Sequence, residues 1–141
     1  MIFFFSENKF YLTNNKLTLK KWIKEIIKSE KKSVGNINIV FYDDEQLLKL
    51  NERFLKHKTL TDIITFDYSE NDVLHGDICI STERVKENAE KYECTFDREF
   101  ERVIAHGILH LCGYKDKKKE DKIIMKQKEE DALSLLDRLY N

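Results

Sequence analysis

The amino-acid sequence predicts an α+β fold, a small mixed β-sheet covered by helices, in a single domain over residues 1–141. Three observations carry that expectation. Segments rich in β-branched and aromatic residues interleave with segments of helical apolar period. At 141 residues the chain is long enough to bury one proper core and short for two. With no proline, four glycines, no internal repeat and no Gly/Ser-rich stretch, nothing marks a linker or a domain boundary.

In chain order, "IFFF" (residues 2–5) reads as a first strand. The surrounding "MIFFFSENKF" has no basic n-region and no small-residue cleavage site, so a strand is the better reading than a signal peptide. "KLTLKKWIKEIIKSEKK" (16–32) sets Leu19, Trp22, Ile23, Ile26 and Ile27 on one helical face with lysines opposite. Gly35 then reads as a turn, and "INIVFY" (37–42) as a strand with Ile37, Ile39 and Phe41 alternating. "DDEQLLKLNERFL" (43–55) reads as one helix, N-capped by Asp43 or Asp44, with Leu47, Leu48, Asn51 and Phe54 at helical period. "TDIITFDY" (61–68) is strand-like, and "GDICIS" from Gly76 is a further short strand. Ser81 or Thr82 caps a helix running to about Tyr92. "TFDREFERVIAHGILHLCG" (95–113) is a helix capped by Thr95 or Asp97 and stopped by Gly113. A last helix, over about 118–139, has Ile124, Leu133, Leu136 and Leu139 as its apolar positions.

Composition narrows the function classes. Hydrophobic residues at 41% and charged residues at 36% describe a soluble globular chain rather than a disordered one. No apolar run approaches the ~18 residues a membrane span needs. Three cysteines at wide spacing, with no CxxC pair, point to a reducing cytoplasm rather than a disulfide scaffold. A net charge of -1 means that any nucleic-acid partner must be held by local lysine clusters.

The chemistry concentrates in "HGILHLCGYKD", residues 106–116, whose pattern is HxxxHxxGxxD. Residues four apart on an α-helix are offset by about 40° and roughly 6 Å of rise, so His106 and His110 share a face. Two imidazoles so placed can share one zinc. Gly113 permits the left-handed turn that ends the helix, and the chain can fold back to present Asp116 as third ligand. The spacing is that of the metzincin zinc helix, with aspartate in the last place. An i,i+4 histidine pair on an apolar helix is also compatible with two core histidines; the glycine and aspartate at these offsets favour the metal. Cys112 lies about 200° around the helix from His110 and reads as a buried small hydrophobe. In HExxH proteases a glutamate follows the first histidine, and here that place is Gly107. A peptidase is therefore not expected, and the remaining tripod leaves one coordination position open for water or a substrate oxygen.

On these residues the sequence resembles the YbeY-type endoribonuclease family, the bacterial ribosomal RNA maturation factors. That family's HGxLHLxGYDH appears as "HGILHLCGYKD", its asparagine-led helix and TDVLSF as "LNERFLKHKTLTDIITF", and its GDIxIS as "GDICIS". The three blocks lie in the family's order and span about half the chain. The resemblance implies a small metal-dependent RNase acting on single strands in small-subunit rRNA 3'-end maturation and ribosome quality control. Two departures stand out. The family's third metal histidine aligns with Asp116 and its penultimate aspartate with Lys115, and aspartate is a competent zinc ligand. A functional arginine of the family aligns with Leu55, for which Lys56 and Lys58 are the nearby replacements.

The expected site is therefore one zinc per chain on His106, His110 and Asp116, which are also the catalytic residues. Asp121, His57 and His75 are the next candidates for the third ligand. Asp62 either positions a water or caps a turn or supports a histidine from behind. Arg102, four residues before His106, either meets a phosphate or pairs with Glu99 or Asp62. The run holding Lys117, Lys118 and Lys119 is either a solvated helix start or an RNA-backbone contact. The expected partners are ribosomal RNA, the small ribosomal subunit and ribosome-associated proteins, with no membrane. Two other function classes remain open: a ribosome-associated binding factor with a structural metal, and a metal-dependent hydrolase of another substrate.

Overall fold

Alternating side chains build the sheet. In the computed structural model, which describes residues 1–56 and 60–140, Ile37, Ile39 and Phe41 turn to one face of their strand while Asn38, Val40 and Tyr42 turn to the other. The described elements follow in the order β1 (Ile2–Ser6), α1 (Lys16–Ser29), β2 (Ser33–Tyr42), α2 (Asp44–Leu50), a π-helical turn (Asn51–Leu55), β3 (Ile63–Asp67), β4 (Val73–Ser81), α3 (Thr82–Lys91), α4 (Phe96–Leu111) and α5 (Lys119–Tyr140). The strands form one sheet in the order β1-β2-β4-β3. β2 runs parallel to both β1 and β4, while β3 lies antiparallel to β4 at the edge. The fold is the mixed-sheet α+β class expected.

One face of the sheet carries the main core. Ile37, Ile39, Phe41, Ile78 and Ile80 meet Trp22, Ile23 and Ile27 of α1 and Phe100, Ile104 and Ile108 of α4. Each such buried side chain contributes about 1.5–3 kcal/mol relative to exposure. α5 closes the outer layer, and Trp22 Nε1 donates to the Ala132 carbonyl at 2.7 Å to tie it to α1. The opposite face is covered only in part. Leu47 of α2 seals Ile64 and Cys79 there, with Tyr42, Leu50 and Phe66 packed around them.

The caps resolve each open choice. Asp43, not Asp44, caps α2 in a reciprocal box with Gln46. Ser81 caps α3 by accepting from the Arg84 amide, and Thr95 caps α4 by accepting from the Arg98 amide. Asp44 instead accepts from the Ser81 hydroxyl at 2.7 Å and from Arg84 Nε at 3.0 Å.

Several expectations are corrected. Gly35 is no turn: it lies inside β2, whose pairing with β4 begins at Ser33↔Val73 and slips between Val34 and Ile37. Gly76 does not begin its strand but lies inside β4, which starts at Val73. The helix expected over 43–55 breaks at Leu50 into the π-helical turn, where the Lys56 amide donates to the Asn51 carbonyl, an i→i+5 bond. That extra residue rotates Phe54 out of the helical stripe, leaving it 54% exposed. On α5 the core-facing positions are Met125, Glu129, Ala132 and Leu136, and Ile124 stands 48% exposed. Cys112 is half-buried against the core rather than fully enclosed. Among the described residues no helix is long and apolar enough to cross a membrane.

Candidate metal centre

The centre is assembled by the last turns of α4. The apolar residues of this helix press on the sheet, and a Cβ on Gly107 would lie 2.8 Å from Ile78 Cγ2 and 2.9 Å from Ile63 Cδ1. The position next to the first histidine thus faces the sheet, and a protease-type glutamate has no room there. His106 and His110 occupy the flank of the helix, with rings 4.5 Å apart and nearly perpendicular. The helix ends where the Gly113 amide donates to the His110 carbonyl and the Tyr114 amide to the Leu109 carbonyl. Gly113 takes φ +106, which a side chain would strain. That reversal carries Asp116 back over the histidines.

Three ligand-type atoms converge. His106 Nε2 and His110 Nε2 are 3.0 Å apart, and Asp116 Oδ2 lies 3.1 Å from the first and 3.3 Å from the second. Tetrahedral zinc with bonds of ~2.0–2.1 Å has ligand–ligand edges of about 3.3–3.4 Å, close to this triangle. The other ring nitrogens fix the tautomers. His110 Nδ1 donates to the Tyr114 carbonyl at 2.9 Å, which can only accept, so in the neutral ring Nε2 carries the lone pair. His106 Nδ1 lies 2.6 Å from Glu129 Oε2, and donation to that carboxylate leaves the lone pair of the neutral ring on Nε2 as well. Two imidazole lone pairs and a carboxylate oxygen at these distances repel one another unless a cation or shared proton lies among them. The group could hold a metal ion, and both histidines are backed by an acceptor as metal-binding histidines require.

Charge behind the site is concentrated in a partly buried network. Burial resists protonation of His106, but Glu129, with Asp116 and Asp62 further off, outweighs it and raises the ring's pKa. Burial pushes the Glu129 carboxyl up, but its bond to His106 and the charge of Arg102 bring it below the usual range. Arg102 donates from Nε and Nη2 to Glu99 at 2.8 and 2.6 Å and from Nη1 to Glu129 at 2.9 Å. Those bonds, despite burial, raise its pKa further. The structure thus places Arg102 in the ion-pair arrangement, with its fork occupied by carboxylates. Asp62 lies 3.9 Å from Arg102, and its own burial is the main cause of its raised pKa.

The tripod opens into a cleft of about 590 Å³ walled by Thr61 to Thr65 of the β3 edge and by Asn51, Leu55 and Lys117. Leu55 therefore stands in the cleft where the family's arginine was expected. Lys118 and Asp121 line the adjoining hollow beside His110. Lys56 ends the π-helical turn in a left-handed conformation, exposed. Among the described residues the ligand group closes with Asp116 rather than Asp121. His75 is distant in role: its Nδ1 accepts from the Asn36 amide at 2.9 Å. His57 and Lys58 lie outside the described residues. Sequence reasoning named Glu99 as a partner of Arg102 but missed Glu129 and the Tyr114 carbonyl. Glu129 did leave a trace, a carboxylate at an apolar-stripe position of α5, four residues after Met125 and three before Ala132.

Comparison with known proteins bears directly on this geometry. A family model described as Endoribonuclease YbeY matches residues 5–137. The "Endoribonuclease YbeY" of Flavobacterium psychrophilum is 52% identical over 114 residues, covering 81% of each chain. That of Christiangramia forsetii is 49% identical over 132 residues, covering 94% of this chain and 92% of the relative. The solution structure of TM1509 from Thermotoga maritima superposes with a TM-score of 0.69 at 30% identity, covering 96% of this chain and 89% of the other.

Proposed function

Given that the chain belongs to the endoribonuclease YbeY family, we propose that it hydrolyses single-stranded RNA at one divalent metal, zinc, held by His106, His110 and Asp116. The observation that supports this most is the convergence of three lone-pair atoms within 3.0–3.3 Å while both histidine Nδ1 atoms are committed elsewhere. A metal bound there supplies Lewis acidity, which acidifies a water and draws charge from a phosphate oxygen.

The protein's own groups do the rest. Glu129 and the Tyr114 carbonyl hold the two imidazoles in orientation. Arg102, itself held by Glu99, in turn holds Glu129 and favours its charged form behind His106. Gly107 supplies no base beside His106, so activation of a water there would depend on the acidity that a metal held by the three ligands would supply. Lys117 in the cleft wall and Lys118 in the next hollow hold the RNA backbone in this reading, and exposed Lys56 is a further candidate. Zinc that only shapes a fold is closed by four protein ligands. Among the described residues three converge here, beside an open cleft, which favours catalysis over a structural metal.

The natural substrate in this reading is small-subunit rRNA, met in a reducing cytoplasm that keeps Cys79, Cys94 and Cys112 as free thiols. A cleavage assay on a defined single-stranded RNA tests it. Metal-loaded protein is expected to cut, and His110→Ala to lose all but a trace of the rate. Equal cleavage by the two would refute the site.

A further inference from the structure

The sheet face away from the core carries a second cavity, of about 320 Å³, that the reaction above does not use. Its walls are aromatic: Phe5, Tyr42, Phe54, Phe66 and Tyr68. Phe5, Phe54 and Tyr68 are about half exposed, at 49%, 54% and 59%. Phe54 meets Phe66 edge-on at 5.8 Å between centroids, and the Arg53 guanidinium lies 5.1 Å from the Phe54 centroid. The floor sets one polar pair, Asn38 and Asp77, beside the apolar Val40 and Cys79. Register places Phe3, Asn38, Asp77 and Phe66 in one row across β1, β2, β4 and β3, so a polar pair sits between two phenylalanines. Asn38 Nδ2 donates to Asp77 Oδ1 at 3.0 Å.

We propose that this cavity is a base-recognition pocket selecting guanine in the RNA substrate, with Asp77 as the discriminating residue. The inference rests on the endoribonuclease reading and names how that RNA is chosen. Its chemistry follows from the donor inventory. One Asn38 N–H goes to Asp77 Oδ1, so Asp77 still offers a ligand its second oxygen and the remaining lone pair of the first, beside the other Asn38 N–H and the Asn38 carbonyl. Guanine presents two adjacent donors on its Watson–Crick edge, N1–H and the N2 amino group, which match a carboxylate bidentately. Adenine and cytosine offer one amino group beside an acceptor, and uracil offers a single N–H between two carbonyls. Aromatic walls supply the stacking that holds an unpaired base of a single strand.

Position favours the same occupant. Leu50, Phe54 and Phe66 line this pocket, while their chain neighbours Asn51, Leu55 and Thr65 line the metal cleft. The 50–55 segment and β3 are thus a common wall. A strand crossing its rim at Phe54 and Leu55 sets a base into the pocket with its backbone leading toward the metal. The carboxylate that repels phosphate makes the pocket a place for a base rather than for the backbone.

The test is equilibrium binding of metal-loaded protein to fluorescent 2'-O-methyl oligouridines carrying one central guanine, inosine, adenine or uracil. Guanine is expected to bind about tenfold or more tighter than adenine or uracil, with inosine, which lacks the N2 amino group, in between. Asp77→Asn is expected to abolish the guanine advantage, and Phe66→Leu to weaken all four oligonucleotides alike. Equal affinity for the four bases, or a guanine advantage that survives Asp77→Asn, overturns the proposal while leaving the nuclease reading intact. Guanine selection in a protein that cuts no RNA would overturn the nuclease reading instead. Should Asp77→Asn not fold, the inosine and adenine series on the parent chain still decides. Failure to bind any of the four overturns the pocket.

Discussion

Glu129 touches none of the substrate-facing atoms, yet the orientation of His106 depends on it. It accepts from His106 Nδ1 at 2.6 Å while Arg102 steadies its other oxygen at 2.9 Å. Glu129→Gln keeps the shape and removes the charge, so metal affinity is expected to fall by about 10–100-fold, read by competition against a chromophoric chelator. Unchanged affinity would reduce Glu129 to a packing role in α5. The convergence of His106, His110 and Asp116 was legible in the sequence, because helical period stacks the two histidines and Gly113 permits the reversal that brings Asp116 back. Glu129 is 23 residues from its histidine and on another helix, and no local spacing encodes such a contact.

At the scale of elements, the helices form where their apolar stripes and cap residues agree, and deviate where packing demands another register. α5 gives the clearest case. Leu136 is fully buried in the core, whereas Ile124, equally apolar in the sequence, stands 48% exposed. Leu136→Ala is expected to cost about 2–5 kcal/mol of unfolding free energy. Ile124→Ser should stay within about 0.5 kcal/mol of the parent in the same denaturant titration. Comparable losses from both would place the buried face of α5 wrongly. The π-helical turn at Asn51–Leu55 was not legible, because nothing in "NERFL" departs from α-helical period. Its role is spatial: it turns Leu55 into the metal cleft and leaves Phe54 on the sheet-face pocket.

For the whole molecule, the fold class was readable from interleaved strand and helix patterns, but the strand order β1-β2-β4-β3 was not. Pairings such as Ile39↔Ile78 join distant segments, and their choice depends on which faces bury together. Charge acts at this scale too. A chain of net charge -1 that binds a polyanion must rely on a few lysines, so its affinity should fall only shallowly with salt. Neutralising Lys117, Lys118 and Lys119 together is expected to weaken RNA binding alike on all sequences and flatten that slope further; unchanged affinity would make the run an ordinary solvated helix start. Everything proposed for the reaction depends on one ion held by His106, His110 and Asp116. The most direct measurement is the metal-to-protein ratio of folded parent, His106→Ala and His110→Ala proteins by elemental analysis. The parent should carry about one zinc per chain and both variants far less; stoichiometric metal persisting in both folded variants would contradict the site.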